Sequence, residues 1–155
     1  MARFQLLTAD ELRELESEFV EFLVLQGITA SDWVLIKEEE PLKAQECIAR
    51  FSDVVYGSVM MKIEYLELRS AKQLYSYHCG KDKIILLGME LKEREGDFTD
   101  PAFIEKSMAN PPQGLEVFRS EKEYTSLRED EIFQMLSNGC TTSDGSLFKV
   151  LSQLG

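Results

Sequence analysis

Along the chain the spacing of apolar residues changes character twice. It is helical up to about Tyr56, strand-like from Ser58 to Leu91, and helical again toward the C-terminus. The first stretch predicts a helix over about 9–26. Leu12, Leu15, Phe19, Phe22 and Leu23 fall on one face, and Glu11, Glu14, Glu18 and Glu21 form a neighbouring stripe. Val20, Val24 and Leu25 widen the apolar surface near its end. Thr8 and Glu11 form a T-x-x-E capping box, and Gly27 stands where a helix stops. Thr29, with Asp32 three residues on, opens a short second helix through Trp33, Val34 and Ile36. Pro41 suits the first turn of a third helix, carried by Leu42, Gln45, Ile48, Ala49, Phe51 or Ser52, and Val55 to about Tyr56. Gly57 is expected to end or kink it.

Three strand-like runs follow: Met61 to Arg69, Leu74 to Cys79, and Lys83 to Leu91. Gly80-Lys81-Asp82 is short enough to join the second and third as a hairpin. Ile84-Ile85-Leu86-Leu87 is a continuous apolar run, as in a strand covered on both faces. Residues from about 92 to 114 are polar and punctuated by Pro101, Pro111 and Pro112, which predicts a long loop with one short helix near Pro101–Met108. Leu115 to Phe118 reads as a brief edge strand. Ser126 and Glu129 form another capping box, for a helix that stops at Asn138-Gly139. Ser143 or Asp144 then caps a last helix carrying Leu147, Phe148, Val150, Leu151 and Leu154. Tight connections favour antiparallel neighbours, because a parallel crossover needs a dozen or more residues. The fold expected is α+β: a single domain with N-terminal and C-terminal helices packed on a small, mainly antiparallel sheet of three or four strands.

Charge narrows the partners. Seventeen basic against 28 acidic residues give a net charge of -11 over 155 residues, a field that repels phosphate backbones and anionic membranes. Nucleic acid and membrane are therefore not expected partners. The N-terminus lacks the apolar run of a signal peptide. Three scattered Cys, with no framework spacing, fit free thiols in a reducing cytoplasm.

No motif names a chemistry. His78, the only histidine, adjoins Cys79, but neighbouring strand residues point to opposite faces and cannot ordinarily grip one ion. There is no C-x-x-C, H-x-x-H or G-x-S-x-G spacing, so no metal and no cofactor is expected. The C-terminal helix pair could pass for a helix-turn-helix. A reading head should be basic, yet residues 126–155 hold only Arg128 and Lys149 against Glu129, Asp130, Glu131 and Asp144.

Two segments carry a resemblance: L-T-x-x-E-L-x-E-L-E-x-E-F-V-E-F-L-V-L-x-G-I-T-A-x-D-W from Leu7 to Trp33, and E-I-F-Q-M-L-S-N-G-C-T-T-S-D-G-S-L-F-K-V-L from Glu131 to Leu151. Through them the chain resembles a family of uncharacterised bacterial proteins of similar length, best represented among Bacteroidetes. The resemblance implies a single bacterial cytoplasmic domain and transfers no catalytic residue.

The function these observations favour is a non-enzymatic interaction or scaffold domain that binds another protein or itself. The alternative is a small-molecule module or enzyme with a pocket near His78, Glu64, Glu67 and Tyr77. The candidate interface is Phe19, Phe22, Val24 and Leu25, since this run carries more apolar surface than one packed face needs. Two-fold homodimers are the commonest soluble oligomers, so a second copy is the default partner.

Overall fold

The computed structural model describes residues 2–92, 96–112 and 114–154. Of the polar loop predicted over 92–114, Glu93, Arg94, Glu95 and Gln113 lie outside the described residues. The chain divides into two compact units, Met1–Met61 and Lys62–Gly155. The fold is α+β, with an antiparallel sheet as expected, but the sheet has five strands rather than three or four.

The first unit is helical: α1 (Ala9–Glu14), α2 (Glu16–Leu25), α3 (Ala30–Glu39) and most of α4 (Pro41–Lys62). Both predicted N-caps form. Thr8 Oγ1 accepts from the Glu11 N–H at 3.2 Å while Glu11 Oε1 accepts from the Thr8 N–H at 2.9 Å, and Thr29 and Asp32 repeat the exchange. Each cap contributes about 1 kcal/mol by satisfying donors the first turn leaves open. The predicted 9–26 helix bends at Leu15. Backbone bonds from Leu15 N–H to Glu11 and from Phe19 N–H to Leu15 carry the helical path across the bend. Gly27 adopts φ +81°, and the Gly27 and Ile28 amides return to the carbonyls of Val24 and Leu23. This pair of hydrogen bonds closes the helix and brings Ile28 back onto the same cluster as Leu23.

Gly57 neither ends nor kinks α4, which runs to Lys62 and takes Met61 and Lys62 out of the predicted first strand. Gly57 has no positive φ, and burial of Met60 beyond it offsets the cost of about 1 kcal/mol that a helical glycine carries. Ser52, wholly buried on α4, accepts from the Leu7 N–H at 3.0 Å and donates to the Ile48 carbonyl at 2.7 Å, which ties the N-terminal segment to the helix. The core around this tie is aromatic. Phe19 meets Phe51 at 5.0 Å and Trp33 edge-on at 5.1 Å, with Phe22 5.5 Å from Phe51.

The second unit holds β1 (Tyr65–Arg69), β2 (Gln73–Cys79), β3 (Lys83–Leu91), α5 (Pro101–Ala109), β4 (Leu115–Glu123), α6 (Arg128–Ser137), β5 (Thr141–Ser143) and α7 (Ser146–Leu154). The strand order is β4-β3-β2-β1-β5, and every ladder is antiparallel. β3 matches the predicted bounds. β4 is longer than the predicted edge strand and pairs with β3 over its whole length. β5 was not expected: Thr141-Thr142-Ser143 has no apolar residue, and only pairing with Tyr65, Leu66 and Glu67 of β1 makes it a strand.

On one sheet face, Leu74, Leu87, Met89 and Leu91 pack with Phe98, Ile104 and Leu151. Phe98 is drawn in by its amide, which donates to the Ala71 carbonyl in the β1–β2 turn, and Lys72 Nζ reaches the Gly96 carbonyl at 2.9 Å. On the other face, the ring of Phe118 lies over Gly88, its direct cross-strand partner. A Cβ at Gly88 would overlap that ring, which explains a glycine in the middle of a central strand.

α6 begins differently from the expectation. Its N-cap is Leu127 with no side-chain bond, and the Ser126–Glu129 box does not form. Glu131, buried in the first turn, takes that role instead. It accepts from the Ser126 N–H at 3.3 Å and pairs with Lys122 of β4 at 3.0 Å. Burial pushes its carboxyl pKa up, but Lys122 and the amides of Ser126 and Thr125 outweigh that and hold it below the usual value. A tertiary ion partner has displaced the local cap. At the helix end, Asn138-Gly139 acts as predicted, with Gly139 at φ +111° and the Gly139 and Cys140 amides returning to Leu136 and Met135. Before α7 both predicted residues contribute: Ser143 Oγ accepts from the Gly145 N–H and Asp144 Oδ1 from the Ser146 N–H.

No single helix among the described residues is long and apolar enough to cross a membrane. α2 and α3 together are, but they bend by 92° at the break between them.

Candidate functional site

The four residues proposed around His78 are divided by the sheet. The register sets Tyr65 opposite His78, Leu66 opposite Tyr77 and Glu67 opposite Ser76. His78 and Glu67 therefore share one face, and Tyr77 points to the other. Glu64 is exposed ahead of β1. The His78 ring is packed against Tyr65 at 5.0 Å and Phe148 of α7 at 5.8 Å. Glu67 is engaged by Arg69 at 2.9 Å. Tyr77 is half-buried, and burial, then Cys140 and Cys79 nearby, push its phenol pKa up. What gathers at His78 is an aromatic contact between the sheet and α7.

Two of the three thiols, those of Cys79 and Cys140, are pushed toward their protonated form. Burial pushes the pKa of Cys79 up to about 11, against an opposing pull from Arg128, and burial raises that of Cys140 also. Cys47 is half-buried, whereas Cys79 and Cys140 are buried. In the native protein an aromatic disulfide reagent is therefore expected to titrate one thiol readily at neutral pH, with all three appearing in denaturant. Rapid native labelling of Cys79 would contradict this assignment. Among the described residues no group of three or more His, Cys, Asp or Glu is placed to hold a metal ion.

Two hollows flank the sheet of the second unit. One, of about 430 Å³, lies between α7 and the β3–β4 pair, walled by Ile85, Leu87, Val117, Phe148 and Leu151 with Arg119 at its rim. The other, of about 320 Å³, lies where Met135 of α6 meets Tyr77, Ile84 and Leu86. The first is walled mainly by apolar side chains, whereas Ser120, Glu121 and Lys122 of β4 also line the second, with Lys122 paired to Glu131 and Glu121 to Lys83 and Arg119.

Arg128 makes hydrogen bonds to three backbone carbonyls, a role that its place in the sequence pattern did not reveal. Its guanidinium donates to the carbonyls of Ile63, Cys79 and Gly80, and the Tyr124 hydroxyl joins at Gly80, 2.7 Å away. A signal existed. A cation in the first turn of a helix, followed by Glu129, Asp130 and Glu131, opposes the helix dipole and needs another reason to be there. The reason is structural: it clamps the start of α6 to the ends of β1, β2 and the hairpin.

The family model described as "Family of unknown function (DUF6495)" matches residues 1–155, the whole length. The chain belongs to this family. No curated protein and no solved structure matches it. Membership in DUF6495 carries no activity with it, so any function has to be argued from surfaces.

The surfaces differ between the units. Among the described residues the exposed large apolar side chains of the first unit are Leu6, Val20, Val24, Leu25, Val34, Leu35, Leu42, Val54, Val59 and Met61. The second unit has only Val117, Leu127 and Val150. The predicted interface set divides accordingly. Phe19 is buried and Phe22 half-buried in the aromatic core, whereas Val24 is 60% and Leu25 83% exposed. Val20 and Val24, four residues apart, lie one above the other on the outer side of α2.

Proposed function

We propose that this DUF6495 chain is a non-enzymatic interaction domain, acting in a bacterial cytoplasm, whose contact surface is the outer side of α2. The observation that carries the proposal is Val20, Val24 and Leu25, left exposed after Phe19 and Leu23 have filled the core beneath. Isolated surface apolars are ordinary, but several on one short helix mark a surface that a partner covers. The partner is a protein, either a second copy or a different chain. Glu18 and Glu21 on the same helix, with the net charge of -11, disfavour anionic lipid and nucleic acid.

The test is the double variant Val24→Glu/Leu25→Glu, which sets two charges into the contact without touching the core. Its circular dichroism is expected to match the parent. If a second copy is the partner, sedimentation of the parent shows more than 17.8 kDa and the variant returns it to that mass. If a different protein is the partner, a species retained by the parent from its own cell extract is lost with the variant. A variant indistinguishable from the parent in both measurements overturns the proposal. The competing small-molecule site at His78 would instead be exposed by ligand-dependent shifts in the His78 ring resonances, which this proposal does not predict.

A further inference from the structure

The sheet has two edges of very different kinds. β5 is three residues long, which protects it from pairing. β4 is nine residues long, pairs among the described residues only with β3, and is exposed at every position except Leu115 and Phe118, which are half-buried. Such an edge presents a row of open N–H and C=O groups to any strand that can approach it. Its five charges, Glu116, Arg119, Glu121, Lys122 and Glu123, deter indiscriminate pairing.

One arrangement turns those charges from a barrier into a register. Two β4 strands related by a two-fold axis perpendicular to the sheet run antiparallel and extend it continuously. The axis must pass through a residue, so that side chains on the same face meet. Placed at Ser120, it sets Arg119 of each copy opposite Glu121 of the other and Phe118 opposite Lys122, with no like charges directly opposed. Moved to Arg119 it opposes two arginines, and moved to Glu121 it opposes two glutamates. Moved to Phe118 it opposes no opposite charges at all. Directly facing opposite charges stabilise a strand pair and like charges oppose it. Arg119 and Glu121 already lie on one face within a single chain, 2.5 Å apart, so exchanging partners needs no change of face. From this self-complementarity we infer that β4 pairs with β4 of a second copy about Ser120, forming a two-fold dimer with a ten-stranded sheet. The contact uses no residue of α2.

Charge exchange tests the register. Arg119→Glu and Glu121→Arg each bring like charges together twice, and each is expected to raise the dimer dissociation constant by roughly tenfold or more. The double exchange Arg119→Glu/Glu121→Arg is expected to restore it, because both cross-strand pairs re-form with signs reversed. In a Cys47→Ser background, Ser120→Cys is expected to cross-link to its own copy with oxidised glutathione, whereas Glu116→Cys, displaced from the axis, is not. A parent that sediments at 17.8 kDa up to millimolar concentration overturns the inference, as does a double exchange that behaves like the single variants. Loss of the dimer in Val24→Glu/Leu25→Glu, with the β4 variants unaffected, would place self-contact on α2 and overturn it equally.

Discussion

Replacing Arg128 with Ala is expected to destabilise the protein by about 3 kcal/mol, more than any other single change of a polar side chain in the second unit. The guanidinium is 16% exposed and donates to three backbone carbonyls, those of Ile63, Cys79 and Gly80. Ile63 and Gly80 lie outside the strands, and Cys79 is the last residue of β2, so these carbonyls sit at the end of the sheet, where Arg128 supplies their donor. Truncation takes this donor from the Ile63 and Cys79 carbonyls in a place water reaches poorly, while Gly80 keeps the Tyr124 hydroxyl, and each acceptor left open costs about 1–3 kcal/mol. Arg128→Lys is expected to recover only part of the loss, since an ammonium cannot spread over three acceptors as a planar guanidinium does. The measurement is urea unfolding followed by circular dichroism. A midpoint within experimental scatter of the parent would show that the clamp is incidental.

The second large effect is expected in the first unit, where Phe51→Ala should cost about 3–5 kcal/mol. Phe51 is 3% exposed and stands between Phe19 and Phe22 at 5.0 and 5.5 Å. Its removal opens a cavity bounded by two rings that are themselves fixed from α2, so the space cannot close without moving the helix. Trp33, the only tryptophan, touches Phe19 and reports on this core. Its emission is expected to shift red at a lower urea concentration in the variant. An unchanged tryptophan transition would contradict the aromatic core as the source of this unit's stability.

The features the sequence made legible are those set by local chemistry. Thr8 with Glu11, Thr29 with Asp32, Pro41, Gly27 and Asn138-Gly139 each act through backbone groups within a few residues, and each does in the structure what its residue type predicts. Features decided by distant partners were not legible. Ser126–Glu129 has the same spacing as the working boxes, yet Glu131 is recruited by Lys122 of the preceding strand β4. Gly57 looks like a stop until burial of Met60 carries the helix past it. β5 has no strand pattern of its own and exists because β1 has an open side. The candidate site shows the same limit. Period-two alternation alone separates His78 from Tyr77, but only the packing of α7 shows that Phe148 covers the histidine ring. In α2, composition shows an excess of apolar residues, but only burial distinguishes Phe19, which fills the core, from Leu25, which does not.

The central claim is that the outer side of α2 is covered by protein when the chain is at work. Site-specific photo-cross-linking in the living source cell tests it most directly. A photoreactive side chain at position 25, 83% exposed at the end of α2, is expected to give a discrete protein adduct. One at Asp82, exposed in the turn between β2 and β3 and not on α2, is expected to give none. Equal labelling at the two positions, or no adduct at position 25, would contradict the claim.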